Sequence, residues 1–599
     1  MRPLPPLALA LTALLAACSS GDDASEVAAP RSLLLVTIDT LRADRVGCYG
    51  YELAQTPVLD DLARRGVRCA NTSAVAPLTF PAHTSLMTGV LPPAHGARDN
   101  GSHRAVPELQ TLAETLSDAG LRTAGFTAAF VLDSIYGLDQ GFEVYGDVPQ
   151  REAVPTAEFE ERPASEVNAE AIAWLDGLSA DEPYFLWVHY FEPHLPYPPA
   201  ESLPPSLRER PYDAEVAAAD RALGDLLAHV EGLGRLDETL VVVTSDHGES
   251  LGEHGEATHS FFVYEGVLHV PLLFVHPSLP AGAVLEARTS AVDVYPTALE
   301  LLGLPGVHAT PPGASLAAAL RGAELEARPV YFESLYPLLN YGWAPLQGVR
   351  SGDLKFIRAP RPELFDLAND PDELANLYAE RPDDARRLAA ELEAVLDANQ
   401  DAERGAAAKR SMSADERQIL ASLGYTGTAA AMDVEVTLRD PKDGVERMKQ
   451  ELLIRDLMDA GRSEEARSAI SELLADDPEN PLFNTHMGLL FMRTGQHAEA
   501  IPYFERAIAS GFDNATTYSN LATCCHFTKD YPRATELFQV ALEKNPKHLL
   551  SHWWLAQTHV ALGETAAARR QLEAILELKD GPEDETTRQV EAQLEELRD

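Results

Sequence analysis

Two apolar, β-rich runs constrain the fold of this chain more than any other feature. Leu33-Leu34-Leu35-Val36-Thr37-Ile38 is closed by Asp39, and Leu240-Val241-Val242-Val243-Thr244-Ser245 is closed by Asp246-His247-Gly248-Glu249. An aspartate at the end of a buried strand is costly unless it is paired or metal-bound. Two such strands, each ending in a hard or borderline metal ligand, suggest a metal site at the carboxyl edge of a parallel sheet. That edge is where open α/β sheets bind their ligands. Taken alone, Asp39 fits a plain helix N-cap equally well.

The same grammar continues from about residue 31 to 380. Phe185–His189 and Val270–Val275 read as further strands, and Pro107–Ala119 and Ala214–Val230 as helices. Alternating strands and helices predict an α/β fold, a mostly parallel sheet flanked by helices. We place this catalytic unit at residues 31–395. At 599 residues the chain is too long for one core. Hydrophobic periodicity fades around Asn399–Lys409, and 396–444 reads as a linker.

From about 445 to 599 the strand signals vanish and a 34-residue period begins. Gly461, Gly495, Lys529 and Gly563 are in register, as are Ala466, Ala500, Ala534 and Ala568. Ile470, Phe504, Phe538 and Leu572 follow the same spacing, and Gly488, Ala522 and Ala556 hold a second small position. Helices that pack closely need small side chains at fixed places. The pattern resembles the tetratricopeptide repeat, with a generic helical bundle as the alternative. About four repeats fit, which implies an all-α solenoid that takes a protein or peptide partner on its concave face or docks onto the catalytic domain.

The N-terminus reads as a targeting segment. Arg2 precedes an apolar stretch from Leu4 to Leu15 that ends in Leu15-Ala16-Ala17-Cys18. This resembles a bacterial lipobox. It implies a signal peptide at 1–17, lipidation of Cys18, a tether at 18–30, and an exported protein anchored to a bacterial membrane, at the outer membrane or the periplasmic face. An ordinary secretory signal is the alternative. Cys48, Cys69, Cys524 and Cys525 are too few for a disulfide framework. Cys48 and Cys69 fit either a bridge or two free thiols, and Cys524 and Cys525 fit helix packing. The net charge of −45 opposes nucleic-acid binding.

The best candidate for a group activated by the metal is Thr79, in Pro77-Leu78-Thr79-Phe80-Pro81-Ala82-His83. Pro81 to Thr88 reads as a helix ending at Gly89. A hydroxyl at its N-terminus lies where free amides favour an anion. A metal there would lower the hydroxyl's pKa and make it a nucleophile. The plainer reading is that Thr79 caps the helix.

The ordered set Thr37–Asp44, Thr79–Gly89, His95–Gly101, Pro193–Tyr197 and Ser245–Glu249 resembles the sulfatase family of the alkaline phosphatase superfamily. Glu363–Leu367 and Asp370–Glu373 are similar to that family's C-terminal subdomain. The resemblance implies that Asp39, Asp246, His247 and Thr79 hold one divalent metal (Zn, Mn or Ca). It implies an anionic ester substrate touched by His194, by His259 as contact or general acid, and by Asn100 as donor to a nonbridging oxygen. His189, Glu249, Glu253, His254 and His269 read as structural or supporting residues. Thr40 stands where many sulfatases have a second Asp. Glu192 and His194 are wrongly spaced for the extra ligand set of two-metal relatives.

One departure bears on the chemistry. Sulfatases begin a C/S-x-P-S-R motif with a residue that is oxidised to formylglycine. This chain has Thr79 there, with His83 for the Arg, and Cys69 does not fit the motif. Thr79-Phe80-Pro81 is also similar to the nucleophile segment of nucleotide pyrophosphatase/phosphodiesterases. The resemblance therefore points to phosphoric or phosphonic esters ahead of sulfuric esters. An inactive, lipid-anchored scaffold working through its repeats is the third reading.

Overall fold

The computed structural model describes residues 28–101, 103–147, 162–198, 202–304, 313–399, 408–409, 439–546, 548–578 and 585–597. Cys18, the signal peptide and most of the linker lie outside these residues. In chain order the first strands are β1 (Ser32–Ile38), β2 (Val67–Ser73), β3 (His103–Arg104), β4 (Arg122–Phe126), β5 (Val144–Gly146), β6 (Tyr184–Tyr190), β7 (Thr239–Thr244), β8 (His269–Val275) and β9 (Ala283–Ser290). All but β3 form one sheet in the order β5-β4-β6-β1-β7-β8-β2-β9. β8 runs against both of its neighbours, and every other pairing is parallel.

Every residue of β1, β6 and β7 is buried. This explains why they read as unbroken apolar runs: strands in the middle of a parallel sheet are covered on both faces. Thr37 pairs with Thr244. Asp39 and Asp246 therefore leave the sheet side by side. The strands at 185–189, 240–245 and 270–275 form within a residue of expectation. The helix expected over Pro107–Ala119 is shorter, Leu112–Asp118. Thr111 and Glu114 build a reciprocal capping box that starts the helix only there. The helix expected over Ala214–Val230 extends to Pro211–Gly232. Cys48 and Cys69 are free thiols, the latter buried in β2.

A second sheet holds β10 (Val330–Ser334), β11 (Leu346–Ser351), β12 (Leu354–Arg358) and β13 (Glu363–Asp366), all antiparallel. The helix Pro382–Ala398 covers it with Leu388, Leu392 and Leu396.

Nine helices follow from Val445 to Glu596 among the described residues. Ala466, Ala500, Ala534 and Ala568 are fully buried, as are Ile470, Phe504, Phe538 and Leu572. A Cβ on Gly488 would stand 2.8 Å from the Phe504 ring, so only hydrogen fits. The turn between paired helices takes a left-handed residue in each period: Gly461 (φ 70°), Gly495 (φ 75°), Lys529 (φ 65°) and Gly563 (φ 75°). Lys529 bears the steric cost that glycine avoids. Lys529→Gly is expected to stabilise the repeats by about 0.5–1 kcal/mol. Urea unfolding followed by far-ultraviolet circular dichroism checks this, and an unchanged or lower midpoint contradicts it.

Candidate active site

The ends of β1 and β7 are stitched together before any ligand enters. The Asp39 N–H donates to the Tyr190 carbonyl at 2.9 Å. Ser245 Oγ accepts from the Leu41 N–H at 2.9 Å and donates to the His247 carbonyl. Thr40 lies at φ 53°, a strained region for a β-branched residue. From there its N–H reaches Asp246 Oδ1 at 3.2 Å, while its buried Oγ1 has no hydrogen-bond partner. The Tyr212 hydroxyl holds the Thr40 carbonyl at 2.7 Å. A neutral hydroxyl thus stands where the sequence pattern lacks its second Asp.

The His247 tautomer follows from its neighbours. Its Nδ1–H donates to the Gly248 carbonyl at 2.9 Å, which leaves a lone pair on Nε2. Nε2 lies 3.4 Å from Thr79 Oγ1, 3.5 Å from Asp246 Oδ2 and 3.9 Å from Asp39 Oδ1. Asp246 Oδ2 and both carboxylate oxygens of Asp39 have no hydrogen-bond partner, and all four residues are buried. Burial, then the adjacent Asp246, raise the Asp39 pKa. Burial would raise Asp246 too, but the imidazoles of His247, His83 and His189 hold it down at about 2. Four converging Lewis bases with unsatisfied carboxylates fit one divalent cation.

Asp39 therefore carries an unfavourable burden in the metal-free protein. Asp39→Asn is expected to stabilise the metal-free state by about 1–3 kcal/mol. It should also abolish the rise in Tm on adding a divalent cation. Melts in chelator and in Mn²⁺, Zn²⁺ or Ca²⁺ test this, and a variant that keeps the rise contradicts it.

His83, His189 and Asp246 form a second cluster beside the first. Hydrogen bonding turns it away from a metal. The Trp187 indole N–H donates to Thr37 Oγ1 at 3.0 Å. Thr37 is then free to donate to His83 Nε2 at 3.1 Å. The His83 proton consequently sits on Nδ1 and donates to the Thr79 carbonyl at 2.8 Å. Burial drives this imidazole to a pKa of about 3, so it stays neutral. His189 Nδ1 accepts from the Ala128 N–H at 3.4 Å, which turns its Nε2–H towards Asp39 Oδ2, 3.5 Å away. His83 anchors the Thr79 turn, and His189 lies beside Asp39 without a hydrogen bond to it.

Thr79 is the first residue of the helix Thr79–Thr88, which Gly89 ends at φ 68°. The N-cap is Leu78, and no side chain caps the helix. The Thr79 hydroxyl is therefore not used up as a cap. Asn100 Oδ1 accepts the Phe80 N–H at 2.8 Å. That bond fixes the amide's orientation and leaves the buried Nδ2 donor without a partner. This suits the donor role expected of Asn100.

His194 and His259 come together beside His247. The His259 ring lies 4.6 Å from that of His247 and 5.0 Å from that of His194. His194 stacks on Phe191 at 4.4 Å and is tied to the Leu195 carbonyl through Nδ1. His259 Nδ1 lies 2.9 Å from Glu249 Oε1. Burial lowers the His259 pKa to about 4 and raises that of Glu249. The other acids and imidazoles make contacts of their own. Glu253 pairs with Arg42, His254 stacks on Tyr264, His269 bonds to the Ala70 carbonyl, and Glu192 accepts the Ala164 N–H at the start of a helix.

Two family models match the catalytic domain. The sulfatase family model matches residues 31–304, and that of the N-sulphoglucosamine sulphohydrolase C-terminal region matches 252–402. The domain belongs to the sulfatase family. Two tetratricopeptide-repeat models match 452–515 and 528–585. The sulfatase domain is 34% identical over 199 residues to arylsulfatase K of Mus musculus, covering 31% of this chain and 35% of that protein. The chain thus spans about a third of the arylsulfatase K length. Choline-sulfatase of Rhizobium meliloti is 28% identical over 433 residues, covering 59% of this chain and 83% of that protein. The crystal structure of a phosphonate monoester hydrolase of Agrobacterium radiobacter shares the fold, with a TM-score of 0.52 at 23% identity. That likeness covers 64% of this chain and 100% of that one.

The sequence pattern did not reveal what His83 and His189 do in the sulfatase domain. The substitution of His83 for the motif's Arg was the one signal available.

Proposed function

We propose that the sulfatase-family domain is a metal-dependent hydrolase of phosphoric or phosphonic esters, with Thr79 as nucleophile. One observation carries this reading: a hydroxyl that cannot become formylglycine lies 3.4 Å from His247 Nε2, which itself meets Asp246 and Asp39. A cation bound by Asp39, Asp246, His247 and Thr79 would lower the hydroxyl's pKa and offset the ester's charge.

The remaining work falls to the protein's own groups. Thr79 gives its proton to solvent, and its Oγ1 bonds to phosphorus as the bond to the leaving oxygen breaks. The Asn100 Nδ2 donor meets a nonbridging oxygen. His259 is neutral in the empty site; an anionic ester beside it favours its protonated form, which passes a proton to the leaving oxygen. His194 lines the same side and contacts that group. Water then attacks phosphorus with its proton passing to His259, the bond to Oγ1 breaks, and Thr79 is reprotonated from solvent. A Thr sulfate would lack the carbonyl expulsion by which a formylglycine hydrate releases sulfate.

Sulfate-ester hydrolysis is the second reading, favoured by the names of the relatives, arylsulfatase K and choline-sulfatase. The convergence of Asp39, Asp246 and His247 on one buried point favours an active site over an inactive scaffold. We infer in addition that the repeats bind a protein or peptide, and that Cys18 anchors the exported protein to a bacterial membrane. Fatty-acid labelling lost in Cys18→Ser would test the anchor.

The deciding experiment offers aryl phosphodiesters, phosphonate monoesters and aryl sulfates to the metal-reconstituted protein, with intact-mass detection of an adduct on Thr79. Turnover of phosphorus esters with a Thr79 phosphoryl adduct is expected. Turnover of sulfates alone would overturn the reading.

A further inference from the structure

We propose that the repeat domain braces the active site: through Tyr341 and Trp343 it holds the loop that positions His259. This rests on the reading of His259 as the group that serves the leaving oxygen.

The chain of contacts starts two residues from His259. Phe261 is fully buried, and its ring meets those of Tyr341 at 5.9 Å and Trp343 at 5.8 Å, edge-on to both. Tyr341 and Trp343 stack on each other at 4.6 Å and 19°. Their far side is gripped by the repeat domain. The Trp343 indole N–H donates to Asp477 Oδ2 at 3.4 Å, and Asn480 Nδ2 donates to the Tyr341 carbonyl at 3.1 Å. Phe483 lies 6.5 Å from the Tyr341 ring. A Cβ on Gly444 would come within 2.0 Å of the Trp343 ring, so the segment entering the first repeat helix is moulded to the indole.

The loop needs such support. Ser260, between His259 and Phe261, sits at φ 88°, left-handed for a residue that is not glycine. Strained residues persist only where their surroundings over-determine them. Ser334 Oγ holds the Ser260 carbonyl, and the Glu256 carboxylate accepts the Phe261 N–H at 2.7 Å and the Phe262 N–H. The aromatic wedge fixes the Phe261 side chain that these bonds leave unheld. The buried core runs without a break from Phe261 through Tyr341 and Trp343 to Ile470 and Phe483.

The test uses the full-length protein with Asp477→Ala combined with Asn480→Asp, and separately Trp343→Leu. Asn480→Asp keeps an acceptor for the helix cap and deletes the bond to Tyr341. Turnover is compared on 4-nitrophenyl and phenyl esters of one phosphodiester, because only the poor leaving group needs a proton. A fall in kcat of about tenfold or more is expected on the phenyl ester, with KM, metal content and the 4-nitrophenyl rate within about twofold. Equal losses on both esters, or none, would overturn the proposal. Hydrogen exchange at the Phe261 and Phe262 amides reports the loop without turnover. Faster exchange in both variants supports the wedge even if the hydrolase reading fails, and unchanged protection refutes it.

Discussion

Thr79→Ala is expected to lower kcat by at least about 10³-fold on any substrate the protein turns over, while cation binding survives. Asp39, Asp246 and His247 remain to hold the cation, so the cation-dependent rise in Tm should persist in reduced form. Thr79→Ser restores a hydroxyl at the same helical position and should recover most of the rate. The alternatives predict otherwise. A capping role is already taken from Thr79 by Leu78 at the N-cap, so a cap-deletion pattern, lower stability with unchanged turnover, has no structural basis. Full activity in Thr79→Ala, measured by initial rates on the metal-reconstituted protein, would remove the proposed nucleophile.

Lys355→Met is expected to destabilise the catalytic domain by about 3–5 kcal/mol. Lys355 on β12 is fully buried, with Nζ 2.9 Å from Glu265 Oε1 and 2.7 Å from Glu373 Oε1. Arg350 on β11 pairs with Glu265 at 3.1 Å, and the Glu265 N–H donates to Glu373 Oε2 at 2.6 Å. The cluster joins the second sheet to the segment that leads into β8. With Lys355 gone, Glu265 keeps Arg350, but Glu373 loses its cation inside the protein. Removing one partner of a buried pair costs far more than replacing both. The double variant Lys355→Met with Glu373→Gln should therefore recover a substantial part of the loss. Guanidinium unfolding monitored by near-ultraviolet circular dichroism decides it; a single variant within about 1 kcal/mol of the parent would contradict the argument.

Much of this was legible in one dimension. β1 and β7 announced themselves because a doubly covered strand reads as an unbroken apolar run, and an acid at its end has little reason to be there without a partner. The repeats were legible because a solenoid writes the same packing requirement every 34 residues. β2 and β9 were not: their burial is mixed, since they lie at or beside the sheet's edge, and neither carries a strong pattern. The early start expected for the helix at Leu112 failed for a local reason, the capping box of Thr111 and Glu114.

By itself the sequence determined the α/β and solenoid regions and put forward Asp39, Thr79, Asp246 and His247, with Thr where the family motif has an oxidisable residue. Tertiary structure alone decided which imidazole nitrogen bears a proton, why His83 serves as a support, and how Phe261 meets Tyr341 and Trp343. Proton positions follow from hydrogen bonds between groups far apart in the chain, as when Thr37 meets both His83 and Trp187. Periodicity reports only which face of an element is buried, and such partners are chosen by how the elements pack.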